Sequence, residues 1–230
     1  MSMSTDALTV ARAMAADDRP DVDALLVDPA TAFGVRVLRA AQRVVTATGL
    51  HASMDDIAAE AGVGRRSLFR HFGSRDNLVA QAVTLALDAY GREVARTTTT
   101  VVDDRPPGDW LEDLISKSHR AHLDAGVGLW QLAAADDADL PGPLAEVNRR
   151  RRAARAEWTR SVAEALWSRS GHRGDAPQAV VDGVGLALSS FATRSMIEDL
   201  GRDVAGTTRS TVAMLLALVA AEGSASSAPG

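Results

Sequence analysis

From Phe33 to Thr48 the chain has a helical rhythm. Val37, Ala41, Val44, Val45 and Thr48 fall on one face, and Arg36, Arg39 and Arg43 gather on another. Gly49 stands where such a helix would stop. Ser53, with Asp56 three residues on, predicts the capped start of a second helix whose inner face is Ile57, Ala58 and Ala61. Gly62 permits a tight turn. A third helix is expected from about Gly64, with Leu68 and Phe72 stacked at i and i+4. Ser74 then caps a longer one through Arg75, Leu78, Ala82, Leu85 and Tyr90.

Residues 97–108 look like a connection, rich in threonine, aspartate and proline. Further helical patterns cover 109–123, 126–137, 141–170, 176–200 and 207–222. They are separated at Gly126, Pro141-Gly142-Pro143, 171–177 and 201–206. Alternating β-branched segments are nearly absent, so the expected class is all-α. The expected organisation is an arm over 1–32, a small helical domain over 33–90, a larger one over 91–222 and a small polar tail over 223–230. The arm and the tail are expected to be mobile or disordered.

The segment 53–72 is a short capped helix, a glycine turn and a second short helix rich in arginine. That arrangement is a helix-turn-helix, which places its second helix in the DNA major groove. On a helical wheel Leu68 and Phe72 point inward, and Arg66 and Arg70 outward. Ser67, Phe69 and His71 flank them, and Arg65 lies nearer the inner face. Arg66 suits the O6 and N7 acceptors of guanine, and Phe69 suits a thymine methyl. Ser53 and the amides after it suit a phosphate.

The net charge of −5 argues against nucleic acid until its distribution is read. Residues 1–32 hold two arginines against six aspartates, and 91–230 hold 16 basic residues against 19 acidic. Residues 33–90 hold seven arginines against five acids, so the basic excess coincides with the helix-turn-helix. The absence of cysteine excludes disulfides, thiolate chemistry and cysteine-ligated metal. No basic start followed by an apolar run marks a secretory signal, and the apolar run 212–221 is too short to span a bilayer. A soluble, cytoplasmic protein is expected.

The order and spacing of several residues resemble the DNA-binding domain of the TetR (tetracycline-repressor-like) family. They are Leu38-Arg39-Ala40-Ala41, Gly49, Ser53, Ile57-Ala58, Ala61-Gly62-Val63, Ser67-Leu68-Phe69, Phe72, Ser74-Arg75 and Leu78. The resemblance covers about a fifth of the chain. It implies a transcriptional regulator, a repressor, that binds a palindromic operator as a homodimer and is released by a small-molecule inducer. It also implies that His71 and Arg75 clamp the DNA backbone beside Ser53, Gly64, Arg65, Arg66, Ser67, Phe69 and Arg70. Three positions depart from the family pattern. Gly64 replaces Ser or Thr, Phe69 replaces Tyr and loses a phosphate-bonding hydroxyl, and Arg75 replaces Lys and keeps its charge.

In the larger domain Val180, Val181, Val184 and Leu188, with Leu215, Leu218 and Val219, form apolar stripes suited to core or interface. The resemblance assigns them to a four-helix dimer interface. Trp110, His119, His122, Trp130, Phe191, Arg194 and Met196 are candidate lining residues of an inducer pocket, though any one of them taken singly reads first as ordinary core. His119 and His122, with Asp124, have ligand-type side chains, but no further ligand cluster is near, so no metal is expected. Arg149 to Arg152 and Arg155 point around a helix and read as a solvated face.

No cofactor and no catalytic residue is expected. The chain has no phosphate loop, metalloprotease pair or nucleophile elbow. Two alternatives stay open. One is a DNA-binding regulator controlled by a protein partner or by abundance. The other is a helical enzyme or carrier with a vestigial helix-turn-helix.

Overall fold

The computed structural model describes residues 29–98 and 105–226, with side chains over 32–91 and 105–225. The leader before residue 29 and the residues after 226 lie outside that range, so the arm expected over 1–32 is almost wholly outside it. The described residues form ten α-helices and no strand. They are α1 (Pro29–Thr48), α2 (Met54–Ala61), α3 (Arg65–Phe72), α4 (Arg75–Thr98), α5 (Pro107–Asp124) and α6 (Gly126–Ala134). After a 3-10 turn at Asp137–Asp139 come α7 (Gly142–Arg169), α8 (Gln178–Ala187), α9 (Ser190–Arg194) and α10 (Val204–Ser226). A π-turn, Ser195–Asp199, extends α9.

The chain divides into two compact units that are not colinear with the sequence. The described residues through Gly91 and Ala125–Arg150 form one, and those of Arg92–Asp124 and Arg151–Gly230 form the other. In the first unit α1 buries Val37, Leu38, Ala41 and Val45 against Ile57 of α2, Leu68 and Phe72 of α3, and Leu78, Val79 and Val83 of α4. Leu132 of α6 and Leu144 of α7 complete this core. Glycine lets α6 sit directly on the α1 backbone. A Cβ added at Gly126 would lie 2.6 Å from the Thr46 carbonyl oxygen, and one at Gly128 would lie 2.8 Å from that of Val45.

Gln131 exploits this closeness: its Oε1 accepts from the Leu50 amide at 2.7 Å. From the other side, the Arg75 guanidinium donates to the carbonyls of Leu50 and Ala52. Both polar groups of Leu50 are therefore satisfied by side chains remote in sequence. Leu50 itself is buried, and an unpaired backbone group there would be costly.

The second unit packs Trp110, Leu111, Leu114 and Ile115 of α5 against Val162 and Leu166 of α7, Val180 and Val184 of α8, and Leu215 and Val219 of α10. Its polar interior centres on Thr193 of α9. The Thr193 hydroxyl donates to the Ser189 carbonyl (3.1 Å), and its oxygen lies 2.8 Å from His119 Nδ1 and 3.2 Å from His122 Nδ1. Burial lowers both histidine pKa values, His122 to about 4, helped by His119 and the positive charge of Arg155.

Some boundaries differ from the sequence reading. The 176–200 pattern breaks at Ser189, whose hydroxyl caps α9 by accepting from the Phe191 amide at 3.2 Å. Helix α10 runs through Gly223 to Ser226 rather than ending before a tail. Gly223 is a packing residue here, because the His172 ring, stacked on Trp167 at 4.0 Å, occupies the space a Cβ would need. By length and composition α10 could cross a membrane. Leu215 and Val219 are nevertheless buried against the other helices of its unit, as in a core helix.

Two outcomes are expected. Gln131→Ala leaves the buried Leu50 amide unpaired and lowers unfolding free energy by about 1–3 kcal/mol; urea denaturation measures it, with faster amide exchange at Leu50. His122 binds its proton in the unfolded chain near pH 6.5 but in the folded chain only near pH 4. The unfolded state therefore holds more protons between those values, and stability falls as pH drops through that window. Thermal melts of wild type and His122→Phe across pH 4–7 test this, and the variant's melting temperature should decline less steeply.

Candidate nucleic-acid interface

Helices α2 and α3 form the helix-turn-helix. Ser53 closes a full capping box, stronger than the sequence alone suggests: its hydroxyl accepts from the Asp56 amide (3.1 Å), and Asp56 Oδ2 accepts from the Ser53 amide (3.4 Å). Gly62 ends α2 with φ of 64°, a left-handed conformation that glycine takes without steric cost. Gly64 starts α3 with extended backbone and no side-chain cap. The α3 helix then buries Leu68 completely and Phe72 nearly so.

The opposite face carries the chemistry. Arg66 and Arg70 are exposed one turn apart, and no hydrogen bond or ion pair ties either to another described residue. Phe69 is 40% exposed beside them. Ser67 is half-buried beside them. This is an apolar back with long hydrogen-bond donors in front, as a groove-reading helix needs.

The other expected contact residues are tied down differently. Arg65 is exposed rather than turned inward. It makes a bidentate pair with Asp55 at 2.9 and 3.1 Å and lies over the Phe69 ring at 5.5 Å. His71 is wedged edge-on between Phe33 (5.3 Å) and Phe72 (4.7 Å). The Ser53 hydroxyl lies 2.6 Å from Asp56 Oδ2 and donates to it. Arg75 spends its guanidinium on Leu50, Ala52 and Asp76, so it latches the loop before α2 instead of reaching outward.

A cationic groove on α1 was not assigned a role by the sequence pattern. Ala32, Val35, Arg36, Arg39 and Arg43 line about 150 Å³ of open surface. Arg43 pairs with Glu60 at 2.6 Å, whereas Arg36 lies over the Phe33 ring at 5.9 Å. Phe33 touches His71, so this end of α1 lies beside the C-terminal end of α3. The i, i+3 spacing of Arg36 and Arg39 was visible in the sequence, but their nearness to α3 was not.

In the second unit His119 and His122 converge on Thr193, while Trp110 is a core residue with Arg169 stacked on it at 4.9 Å. Met196 is half-buried. Phe191 is 50% exposed, and Arg194 pairs with Glu198. Trp130 belongs to α6 of the first unit, and the other six belong to the second. Val180, Val181, Val184, Leu188, Leu215 and Val219 are buried inside the chain, and Leu218 partly so. Side chains that fill the core cannot also be the contact surface of a second copy. The same helices expose Leu186 and Met214 instead. Of the arginine run, Arg149 and Arg150 both pair with Glu146, and Arg155 donates to the Gly185 carbonyl at 2.6 Å.

The family model for bacterial regulatory proteins of the tetR family matches residues 37–82. No curated protein matches the chain. Among solved structures, the transcriptional regulator FadR from Bacillus subtilis, in complex with stearoyl-CoA, is similar with a TM-score of 0.58 at 13% identity. The match covers 79% of this chain and 96% of that one. A protein of Pseudomonas aeruginosa PAO1 described as a transcriptional regulator gives 0.59 at 20% identity, covering 82% and 88%. A Clostridium perfringens protein described as a fatty acid metabolism regulator gives 0.55 at 13%, covering 79% and 96%. At such identities the likeness establishes fold. The matched segment contains α2, α3 and the anchors of the helix-turn-helix, and a larger helical region follows it. Residues 37–82 therefore form a DNA-binding domain of the kind found in bacterial regulatory proteins of the tetR family, followed by a larger helical region.

Proposed function

We propose that this protein is a cytoplasmic, ligand-responsive repressor that binds a palindromic operator as a homodimer and is released by a small molecule. The observation that carries the DNA reading is the α3 face, where Arg66 and Arg70 stand exposed above the buried Leu68 and Phe72. Arg66 and Arg70 would read bases, while Arg36 and Arg39 of α1 would hold flanking phosphates. Arg65 engages Asp55 through one terminal nitrogen alone, so the rest of its guanidinium could join them.

Two-fold symmetry follows from DNA geometry. Paired recognition helices enter successive major grooves on one side of the duplex when about 34–36 Å apart. Leu186, 71% exposed on α8, and Met214, 53% exposed on α10, support an interface built from these two helices of each copy. A similar fold holds stearoyl-CoA in the Bacillus subtilis regulator, which supports a small molecule as the effector. Only Ala125 separates α5, which carries His119 and His122, from α6, whose Gln131 holds the loop before α2. A ligand that binds one arrangement of α5 better than another would thereby bias the helix-turn-helix, and only such differential affinity can do so.

Fluorescence anisotropy with DNA from upstream of the protein's own gene, across a salt series, tests the reading. Arg66→Ala should weaken operator binding by about 1–3 kcal/mol and narrow the gap to random DNA. Arg36→Ala should weaken both alike and flatten the salt slope by about one phosphate contact. Operator binding no tighter than to random DNA would sink the regulator reading for that site. Light scattering tests the dimer: Leu186→Glu with Met214→Glu should yield monomers, and an unchanged dimer would rule out this interface.

A further inference from the structure

Seven buried side-chain polar atoms have no hydrogen-bond partner among the described residues, and all seven lie in the second unit. They include Ser118 Oγ and His119 Nε2 on α5, Trp158 Nε1 on α7, and the hydroxyls of Thr207 and Thr208 on α10. Native interiors leave few such groups, because each costs about 1–3 kcal/mol. The hydroxyls had an easy remedy. Thr48, Thr84, Ser161, Thr193, Thr211 and Ser224 all donate to the carbonyl four residues back. Ser118, Thr207 and Thr208 do not.

His119 is the most informative of these groups. It is 1% exposed, and its Nδ1 faces Thr193 Oγ1 at 2.8 Å. The single Thr193 hydroxyl proton goes to the Ser189 carbonyl. A Thr193 hydroxyl that keeps this bond offers its two lone pairs to His119 and His122, an arrangement that puts the proton of both rings on Nδ1. The Nε2 of His119 is consequently a bare lone pair, buried and oriented by Thr193. Its low pKa keeps it an acceptor at neutral pH.

We propose that His119 Nε2 is the polar anchor of an effector site that takes an uncharged, mostly apolar molecule carrying one hydroxyl, an alcohol or a phenol. The argument is one of complementarity. A bare acceptor in an apolar interior is satisfied by an O–H donor. A carboxylate brings only acceptors and a charge to desolvate. Arg155, whose positive charge acts on His122, has one of its terminal nitrogens committed to the Gly185 carbonyl. Thr193 sits on a five-residue helix followed by a π-turn, an irregular segment of a kind frequent at functional sites. The inference deepens the proposed function, since it names the ligand class of the effector domain.

The test uses the full-length protein, nitrogen-15 labelled, with imidazole resonances followed by NMR at pH 7. Without ligand, His119 should show the Nδ1–H tautomer. Phenol or 1-hexanol should then move the His119 Nε2 resonance and bind about tenfold more tightly than toluene or hexanoate, matching one hydrogen bond. His119→Phe should keep toluene-level binding and lose the preference. Thr193→Val should reduce the preference through loss of the tautomer, a second route if the first variant folds poorly.

An Nε2–H tautomer, equal binding of phenol, hexanol and toluene, preference for hexanoate, or binding by neither hydroxyl compound would each overturn the proposal. Operator binding, measured separately, keeps the two readings apart. Protein saturated with phenol or hexanol that still holds its operator removes the effector role and leaves the site. Protein that binds no operator removes the regulator reading alone.

Discussion

An eight-residue helix does not hold its shape alone in water. The aim of Arg66 and Arg70 therefore depends on the burial of Leu68 and Phe72 behind them. The two pairs share the same i, i+4 spacing on opposite faces, so fixing the apolar pair fixes the arginines. The core that receives Leu68 and Phe72 is assembled from α1, α2 and α4, and it sets the angle at which α3 is presented. His71 adds an aromatic brace between Phe33 and Phe72, tying the end of α3 to the first turns of α1.

The loop between α1 and α2 is held by side chains from α4 and α6. Gln131 satisfies the amide of Leu50, and Arg75 satisfies its carbonyl and that of Ala52. The glycines of α6 allow Gln131 to come this close, because any larger residue at Gly128 would meet the Val45 carbonyl. A side chain from α6 thus takes part in positioning the start of the helix-turn-helix. This is why the compact DNA-binding unit reaches forward along the chain to include 125–150.

The second unit solves a different problem. Its apolar core would be ordinary but for the polar atoms set into it, which gather in this unit while the first leaves none unpartnered among its described residues. A stable core gains nothing from an unpaired imidazole nitrogen or from hydroxyls that forgo the helix backbone. The irregular turn around Ser189 to Asp199 is the least regular part of that interior, and it carries the threonine that orients both histidines.

The helix-turn-helix was legible because its signals are local. Ser53 and Asp56, Gly62, and Leu68 with Phe72 interact over one turn, where sequence spacing is spatial distance. The all-α class was legible for the same reason. What depends on distant partners was not. Arg75 belongs by pattern to a DNA clamp, yet its guanidinium donates to two carbonyls of the loop before α2. The stripe of Val180, Val184, Leu188 and Leu215 suited interface and core equally, and only packing against α5 and α7 assigned it to the core. Gly223 marked a helix end until the His172 ring was found filling its place. The sequence by itself determined which segments are helical, which faces are apolar and where the helix-turn-helix lies, since these are set within a few residues. The tertiary structure alone decided which arginines remain free, which apolar faces are already covered and which histidine nitrogen is left without a partner, because each requires knowing what a side chain meets across the fold.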